Sequence, residues 1–176
     1  VTVVNTRVTG STTGILLNGT ASGVTIGGLL TAQRNVIDGN TRGIDIAGTA
    51  STIQIINNYI GLLSDGSTIS ANTQVGIKVS GATADPTGVT IGGSTSAYGN
   101  VISGNGLAGA ELEADSVTFR NNIVGLNAAG TTAKANYDGV LVTGSSNIVQ
   151  ENTIAGNSNM GVLFRDDIGV VNANQV

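Results

Sequence analysis

Short phrases in which apolar and polar residues alternate run the length of the chain, and each opens on glycine. They are Gly14-Ile-Leu-Leu, Gly43-Ile-Asp-Ile, Gly76-Ile-Lys-Val, Gly109-Ala-Glu-Leu, Gly139-Val-Leu-Val and Gly161-Val-Leu-Phe. Alternation with a period of two marks a strand with one buried face. A second apolar phrase follows, as in Val24-Thr-Ile, Ile53-Gln-Ile, Val89-Thr-Ile and Val117-Thr-Phe. A third follows an asparagine: Asn35-Val-Ile, Asn58-Tyr-Ile, Asn100-Val-Ile, Asn122-Ile-Val, Asn152-Thr-Ile and Asn174-Gln-Val. Three short strands per unit, separated by turn residues, predict one coil of a parallel β-helix.

The stretch around Val24-Thr-Ile-Gly-Gly and Asn35-Val-Ile-Asp-Gly-Asn returns 65 positions later, at Val89 and Asn100. This long period is two coils, not one. The bare coil is residues 139–160, 22 residues long, and the longer units carry inserts of two alternating kinds. One kind, 29–34 and 94–99, follows Ile-Gly-Gly; the other, 62–75 and 126–138, follows the third strand. Solenoids accept added length at their corners, so the alternation fits coils decorated in turn. Residues 1–13 read as the end of a preceding coil, with Asn5 in the asparagine register. The prediction is one all-β domain over 1–176, a solenoid of roughly six to seven coils and about 30 Å tall.

Side chains alternate along a strand, so pairs such as Ile44/Ile46, Ile77/Val79 and Val140/Val142 are expected to stack into inward aliphatic columns. The column Asn5, Asn35, Asn58, Asn100, Asn122, Asn152 and Asn174 is expected at a sharp corner. There asparagine tolerates positive φ, and stacked amides can bond to each other as a ladder. Gly39-Asn40, Gly104-Asn105 and Gly156-Asn157 read as a second corner of the same kind.

Composition narrows the function classes. With 27 Gly, one Pro, no Cys, no His and 40% hydrophobic residues, the chain is neither collagen, nor disordered, nor disulfide-framed. A net charge of −4 disfavours nucleic acid and anionic membrane as partners. No apolar run approaches the roughly 20 residues of a membrane helix, so membrane insertion is not expected. No cofactor is expected; the only local acid groups, Glu111/Glu113/Asp115 and Asp166-Asp167, could at most hold a weak Ca²⁺, which wants 6–8 oxygens.

Asn-x-Ile-x-Gly-Asn followed by Gly-Ile-x-Ile, at 35–46, 152–164 and more weakly 100–112, resembles the right-handed parallel β-helix repeat proteins of the pectate-lyase-like superfamily. More narrowly, 91–105 and 57–72 resemble repeats of large secreted bacterial surface proteins. The resemblance covers essentially the whole chain. It implies a right-handed β-helix and an extracellular or cell-surface location, but leaves function open among lyases, hydrolases, adhesins and structural filaments.

The best catalytic candidates are Asp45, Lys78 and Glu111, outward residues of the first phrase on consecutive coils. Lys78 is expected between the two carboxylates, which stand about 9 to 10 Å apart, near the upper end of the spacing of inverting glycosidases. A solvated charge ladder accounts for the same residues. The acid cluster with arginine, or with histidine, that the resemblance implies for its enzymes is not matched here. Residues 1–8 and Asn174-Gln-Val176 show no capping segment, so the coils are expected to continue in neighbouring domains or to meet head-to-tail in a filament. The expected role is therefore a non-enzymatic structural or adhesive solenoid that associates with itself. A polysaccharide-binding or polysaccharide-degrading β-helix is the alternative. Partner contacts are expected on the longer inserts, at Asp65, Asn72, Lys134, Asn136, Tyr137 and Asp138.

Overall fold

The computed structural model describes residues 1–81 and 84–165. Asn174 and the pair Asp166-Asp167 lie outside them. Among the described residues are three parallel sheets of six strands each, so the chain is a parallel β-helix of six coils with three strands per coil. The first sheet stacks Thr13–Leu17, Arg42–Ala47, Ile77–Ser80, Ala108–Leu112, Asp138–Val142 and Val162–Phe164. The second stacks Thr2–Val3, Ser22–Ile26, Ser51–Ile55, Thr87–Gly92, Thr118–Arg120 and Ile148–Gln150. The third, made of two-residue strands, stacks Arg7–Val8, Val36–Ile37, Tyr59–Ile60, Val101–Ile102, Ile123–Val124 and Thr153–Ile154.

The core is the inward set of all three sheets. Ile44, Ile46, Ile77, Val79, Val140 and Val142 come from the first, Ile53, Ile55, Ile91 and Phe119 from the second, and Ile37, Ile60, Ile102 and Val124 from the third. Like residues sit over like because successive coils pair in register, for example Ile44 with Ile77 and Ile46 with Val79. β-Branched side chains suit so narrow a wall, having few rotamers to lose.

The glycine that opens each first-sheet phrase has a steric reason. A Cβ on Gly76 would stand 2.6 Å from the carbonyl oxygen of Gly109, 2.9 Å from Asn105 Nδ2 and 2.9 Å from Ile102 Cγ2. Gly14 and Gly109 are crowded in the same way, by the carbonyl oxygen of the next glycine in the column and by an asparagine amide. The missing side chain is thus the space through which a ladder of asparagines runs.

Two such ladders exist, one on each side of the third sheet. In the first, the Nδ2 groups of Asn35, Asn58, Asn100 and Asn122 donate to the Oδ1 of Asn58, Asn100, Asn122 and Asn152, at 2.9 to 3.1 Å. Each Oδ1 also accepts the backbone N–H of the asparagine one coil below. In the second, Asn40, Asn72, Asn105 and Asn136 donate to Asn72, Asn105, Asn136 and Asn157.

Three expectations change here. Asn5 is not a rung. Arg7 pairs with Val36, so Thr6 lies opposite Asn35, and its N–H donates to Asn35 Oδ1. Positive φ, expected of the ladder asparagines themselves, belongs where it occurs to the residue before the rung position: Asn5, Asn57, Asn121 and Glu151 at the first corner, Gly39, Gly104 and Gly156 at the second, while Arg34 and Gly99 are extended. The asparagine rungs are selected for hydrogen bonding rather than for backbone conformation. Asn72 and Asn136, expected to meet partners, are fully buried rungs of the second ladder. Read as insert residues, they hid the regular spacing of that ladder.

Asp38 shows how a lone buried charge is accommodated. Its side chain is fully buried and accepts two bonds from the Arg7 guanidinium, at 2.9 and 2.7 Å, and one from Ser70 Oγ at 2.7 Å. Burial pushes the carboxyl up, but the bonds from Arg7 and Ser70 and the Arg7 charge outweigh it and hold the group below its usual value. A depressed native pKa contributes stability above the unfolded carboxylate range, and that stability is lost as pH falls through the native value. Wild type is therefore expected to lose stability in urea titrations below about pH 4. Asp38→Asn should flatten part of that loss while costing roughly 1 to 3 kcal/mol at neutral pH.

Candidate functional site

The first-sheet charges come together as one column. Asp45 pairs with Lys78 and Lys78 with Glu111 in strict register across three coils. The side chains do not form a simple alternating ladder. Asp45, nearly buried, takes Arg42 of its own strand at 3.0 Å. Lys78 leans the other way, to Glu111 at 3.4 Å and to Glu113 at 2.5 Å. Lys78 is thus joined to two carboxylates, but they are Glu111 and Glu113 instead of Asp45 and Glu111. Burial disfavours its ammonium, yet the bond to Glu113 and the charges of Glu113 and Glu111 raise its pKa above the ordinary lysine value. A lysine shifted upward is a fixed cation, whereas a general base needs the opposite shift.

The inserts define a different face. Those at 29–34 and 94–99 contain single 3₁₀ turns, Thr31–Gln33 and Ser96–Tyr98, at the corner between the second and third sheets. Those at 62–75 and 126–138 open as small hairpins, closed by antiparallel bridges between Leu62 and Ile69 and between Leu126 and Ala133. Instead of standing clear of the stack, the hairpins fold over the outer side of the third sheet. Leu62 is fully buried in a small cluster with Tyr59 and Val101, flanked by Ile123 and Ala128. The two hairpins also lie one on the other, Ala128 N–H donating to the Gly66 carbonyl at 2.8 Å.

Of the insert residues expected to meet partners, Asp65 and Tyr137 are exposed, Tyr137 at 53%. Asp65 caps its own turn, accepting from Ser67 N–H, Thr68 N–H and Thr68 Oγ1. Those bonds, from the Thr68 hydroxyl first, with a smaller pull from Lys134, lower its pKa to about 2. Lys134 is half-buried, and its backbone bridges the hairpin base to Gly104 and Gly125. Asp138 begins a first-sheet strand and accepts from Asn159 and Met160 of the next coil.

Between the two kinds of insert, the third sheet shows its outer residues Tyr59, Val101, Ile123 and Thr153, paired in that order on successive coils. Over them lie two adjoining clefts of about 300 Å³ each, which share Ser96, Gly99, Val101 and Ile123. At one end Arg34 lies over the Tyr59 ring, its Cζ 4.1 Å from the centroid. Its Nη1 donates to the Tyr59 hydroxyl at 2.7 Å, and Nε and Nη2 both donate to Asn57 Oδ1 at 3.1 and 2.6 Å. Asn57 is held in turn by its own Nδ2, which donates to the carbonyls of Gly28 and Leu30. At the other end, Glu151 accepts from Arg120 at 2.7 Å.

The pattern of phrases did not single out this face. Its signs in the sequence were a tyrosine between the aliphatic residues Val36 and Val101 of the outward column, and an arginine directly before a ladder asparagine. Tyr59, though on the outward face, is only 8% exposed under Arg34.

The fold and these sites define a parallel β-solenoid repeat protein bonded internally by two asparagine ladders. No family model matches the chain, and no curated protein or solved structure matches it. No helix among the described residues is long and apolar enough to cross a membrane.

Proposed function

We propose that this chain is a non-catalytic, extracellular or cell-surface β-solenoid with a structural or adhesive role, related to the right-handed β-helix repeat proteins. The observation that carries this reading is the use made of the first-sheet charges. Asp45, Glu111 and Glu113 each meet a cation of the protein itself, and the cation shared by the two glutamates is a lysine whose pKa is raised. The Lys78 pairs join neighbouring coils and the Arg42–Asp45 pair braces one strand, and groups bonded to one another in this way have no need of a substrate. The two ladders support the same reading, because they spend buried amides on a rigid, regular stack. The expected partners are further copies of the chain or neighbouring coils of the same protein. Such association extends the stack by the same backbone pairing that joins one coil to the next. Sedimentation velocity and electron microscopy of the purified chain test that part.

One observation favours the alternative, a polysaccharide-binding or polysaccharide-degrading β-helix: Asp45, Lys78 and Glu111 share one outward column in register. The Asp45→Ala/Glu111→Ala double variant separates the readings. A structural solenoid keeps its assembly and partner binding, and releases no reducing ends or unsaturated products from a panel of neutral and acidic polysaccharides in either form. Cleavage by wild type that is abolished in the double variant would overturn the proposal.

A further inference from the structure

Arg34 differs from the ion-paired cations described above. Arg7, Arg42, Lys78 and Arg120 each have a carboxylate within 3.4 Å. Arg34 has none among the described residues. All its hydrogen-bond partners are neutral, and it lines the mouth of a cleft. A guanidinium carries five N–H donors, of which Asn57 and Tyr59 take three, leaving two on the Nη nitrogens. The group is also held in place before any ligand arrives. The ring of Tyr59 supports one face, Asn57 grips one edge, and Asn57 is itself tied to the insert at Gly28 and Leu30. A preorganised fork loses little entropy when it closes on a planar anion.

What lies beside the fork is apolar. Val101 and Ile123 follow Tyr59 on the next two coils, about 5 and 10 Å along the axis, with Ala128 on the hairpin side. Leu29 forms a half-exposed lip beside Arg34. The one acid of the adjoining cleft, Glu151, is neutralised by Arg120, so no free negative charge opposes an anion there.

We propose that the cleft over the third sheet binds an amphipathic carboxylate, its charged end on Arg34 and its apolar part on Val101, Ile123 and Ala128. The site does not depend on whether the first-sheet column is catalytic. Two sources carry this chemistry, the last residue of a peptide with an aliphatic side chain and a short free acyl acid. The cleft volume, at the lower end of the range for small-molecule sites, suits either.

The test is a titration of the folded chain followed by NMR, reading Arg34 Nε–H and the backbone amides of Val101, Ile123 and Ala128. The probes are N-acetyl-leucine, N-acetyl-leucinamide and hexanoate. Binding of the two carboxylates with the amide at least about tenfold weaker is expected, since only a carboxylate makes a charge-assisted pair. N-acetyl-leucine tighter than hexanoate identifies a peptide end, and the reverse order an acyl acid. Arg34→Met should weaken both carboxylates by at least about tenfold and leave the amide unchanged, while Arg42→Gln on the first sheet changes neither. Ala128→Phe, which puts a large side chain into the cleft and keeps Arg34 in the chain, should abolish binding, and it decides the matter if Arg34→Met fails to fold. The proposal is overturned if N-acetyl-leucinamide binds as well as the acid, if Ala128→Phe still binds, or if no carboxylate shifts these amides at tens of millimolar.

Discussion

Gly76→Ala is expected to cost about 3 kcal/mol or more, a large fraction of the roughly 5 to 15 kcal/mol that holds a typical domain folded. The added carbon would stand 2.6 Å from the carbonyl oxygen of Gly109 and 2.9 Å from Asn105 Nδ2, so both the backbone of the next coil and the second ladder must move. Neither can yield alone. The carbonyl belongs to a glycine whose own missing Cβ makes room for Asn136 Nδ2, and Asn105 is bonded to Asn72 and Asn136 on either side. The strain is steric, because the backbone of Gly76 is not in the left-handed region. Gly130→Ala is the control. It has φ of +70° and open space around it, so it should cost only about 1 to 2 kcal/mol through backbone strain. Urea denaturation separates the two, with a large drop in midpoint for Gly76→Ala and a small one for Gly130→Ala. Similar midpoints would show that the column glycines serve turn conformation and not the passage of the ladder.

Removing a rung from the middle of the first ladder should be comparably damaging. Asn100 Oδ1 accepts from the backbone and side-chain nitrogens of Asn58, and its Nδ2 donates to the Ile55 carbonyl at 2.7 Å and to Asn122 Oδ1 at 2.9 Å. Both Asn58 and Asn100 are fully buried, so Asn100→Ala strands the backbone N–H of Asn58, takes one of three partners from its Nδ2 and leaves a cavity where no water reaches. The expected loss is about 3 to 5 kcal/mol. Asn100→Asp keeps the shape but should be at least as costly, since it aims a carboxylate at two acceptors in a dry site. Asn35→Ala leaves the backbone N–H of the exposed Thr6 free to bond water and should cost distinctly less. Because Asn58 and Asn100 share their bonds, the double alanine variant should fall short of the sum of the singles. Equal effects for Asn35 and Asn100, with additive doubles, would mean that the rungs act singly and not as a ladder.

How much of this was legible in the chain follows from the range of each interaction. Ile44-Asp45-Ile46 and Ile77-Lys78-Val79 declare their inward and outward residues locally, since alternation along a strand is a property of the strand alone. Repetition of the phrase then implies that coil stacks on coil, and so the charge column of Asp45, Lys78 and Glu111 could be aligned before any coordinates. What Lys78 bonds to could not be aligned. Glu113 reaches it from beyond the strand, and Arg42 takes Asp45 from three residues away. Pairing among flexible side chains depends on directions that spacing does not encode. The one-residue displacement of Asn5 has a similar cause, because asparagine suits both the rung and the left-handed position before it, and composition cannot tell these apart.

The sequence by itself determined the parallel β-helix, its three phrases per coil, the inward aliphatic columns and the corners where asparagine recurs, because all of these repeat at short range. The tertiary structure alone decided what the inserts do. Asn72 and Asn136, separated from their strands by hairpins of irregular length, return to close a ladder, and Leu62 folds back to cover Tyr59. Only that return brings Arg34, Val101, Ile123 and Ala128 around one cleft. Val101 and Ile123 stack by register, but Arg34 and Ala128 come from two different inserts, whose closure over the sheet no periodicity records.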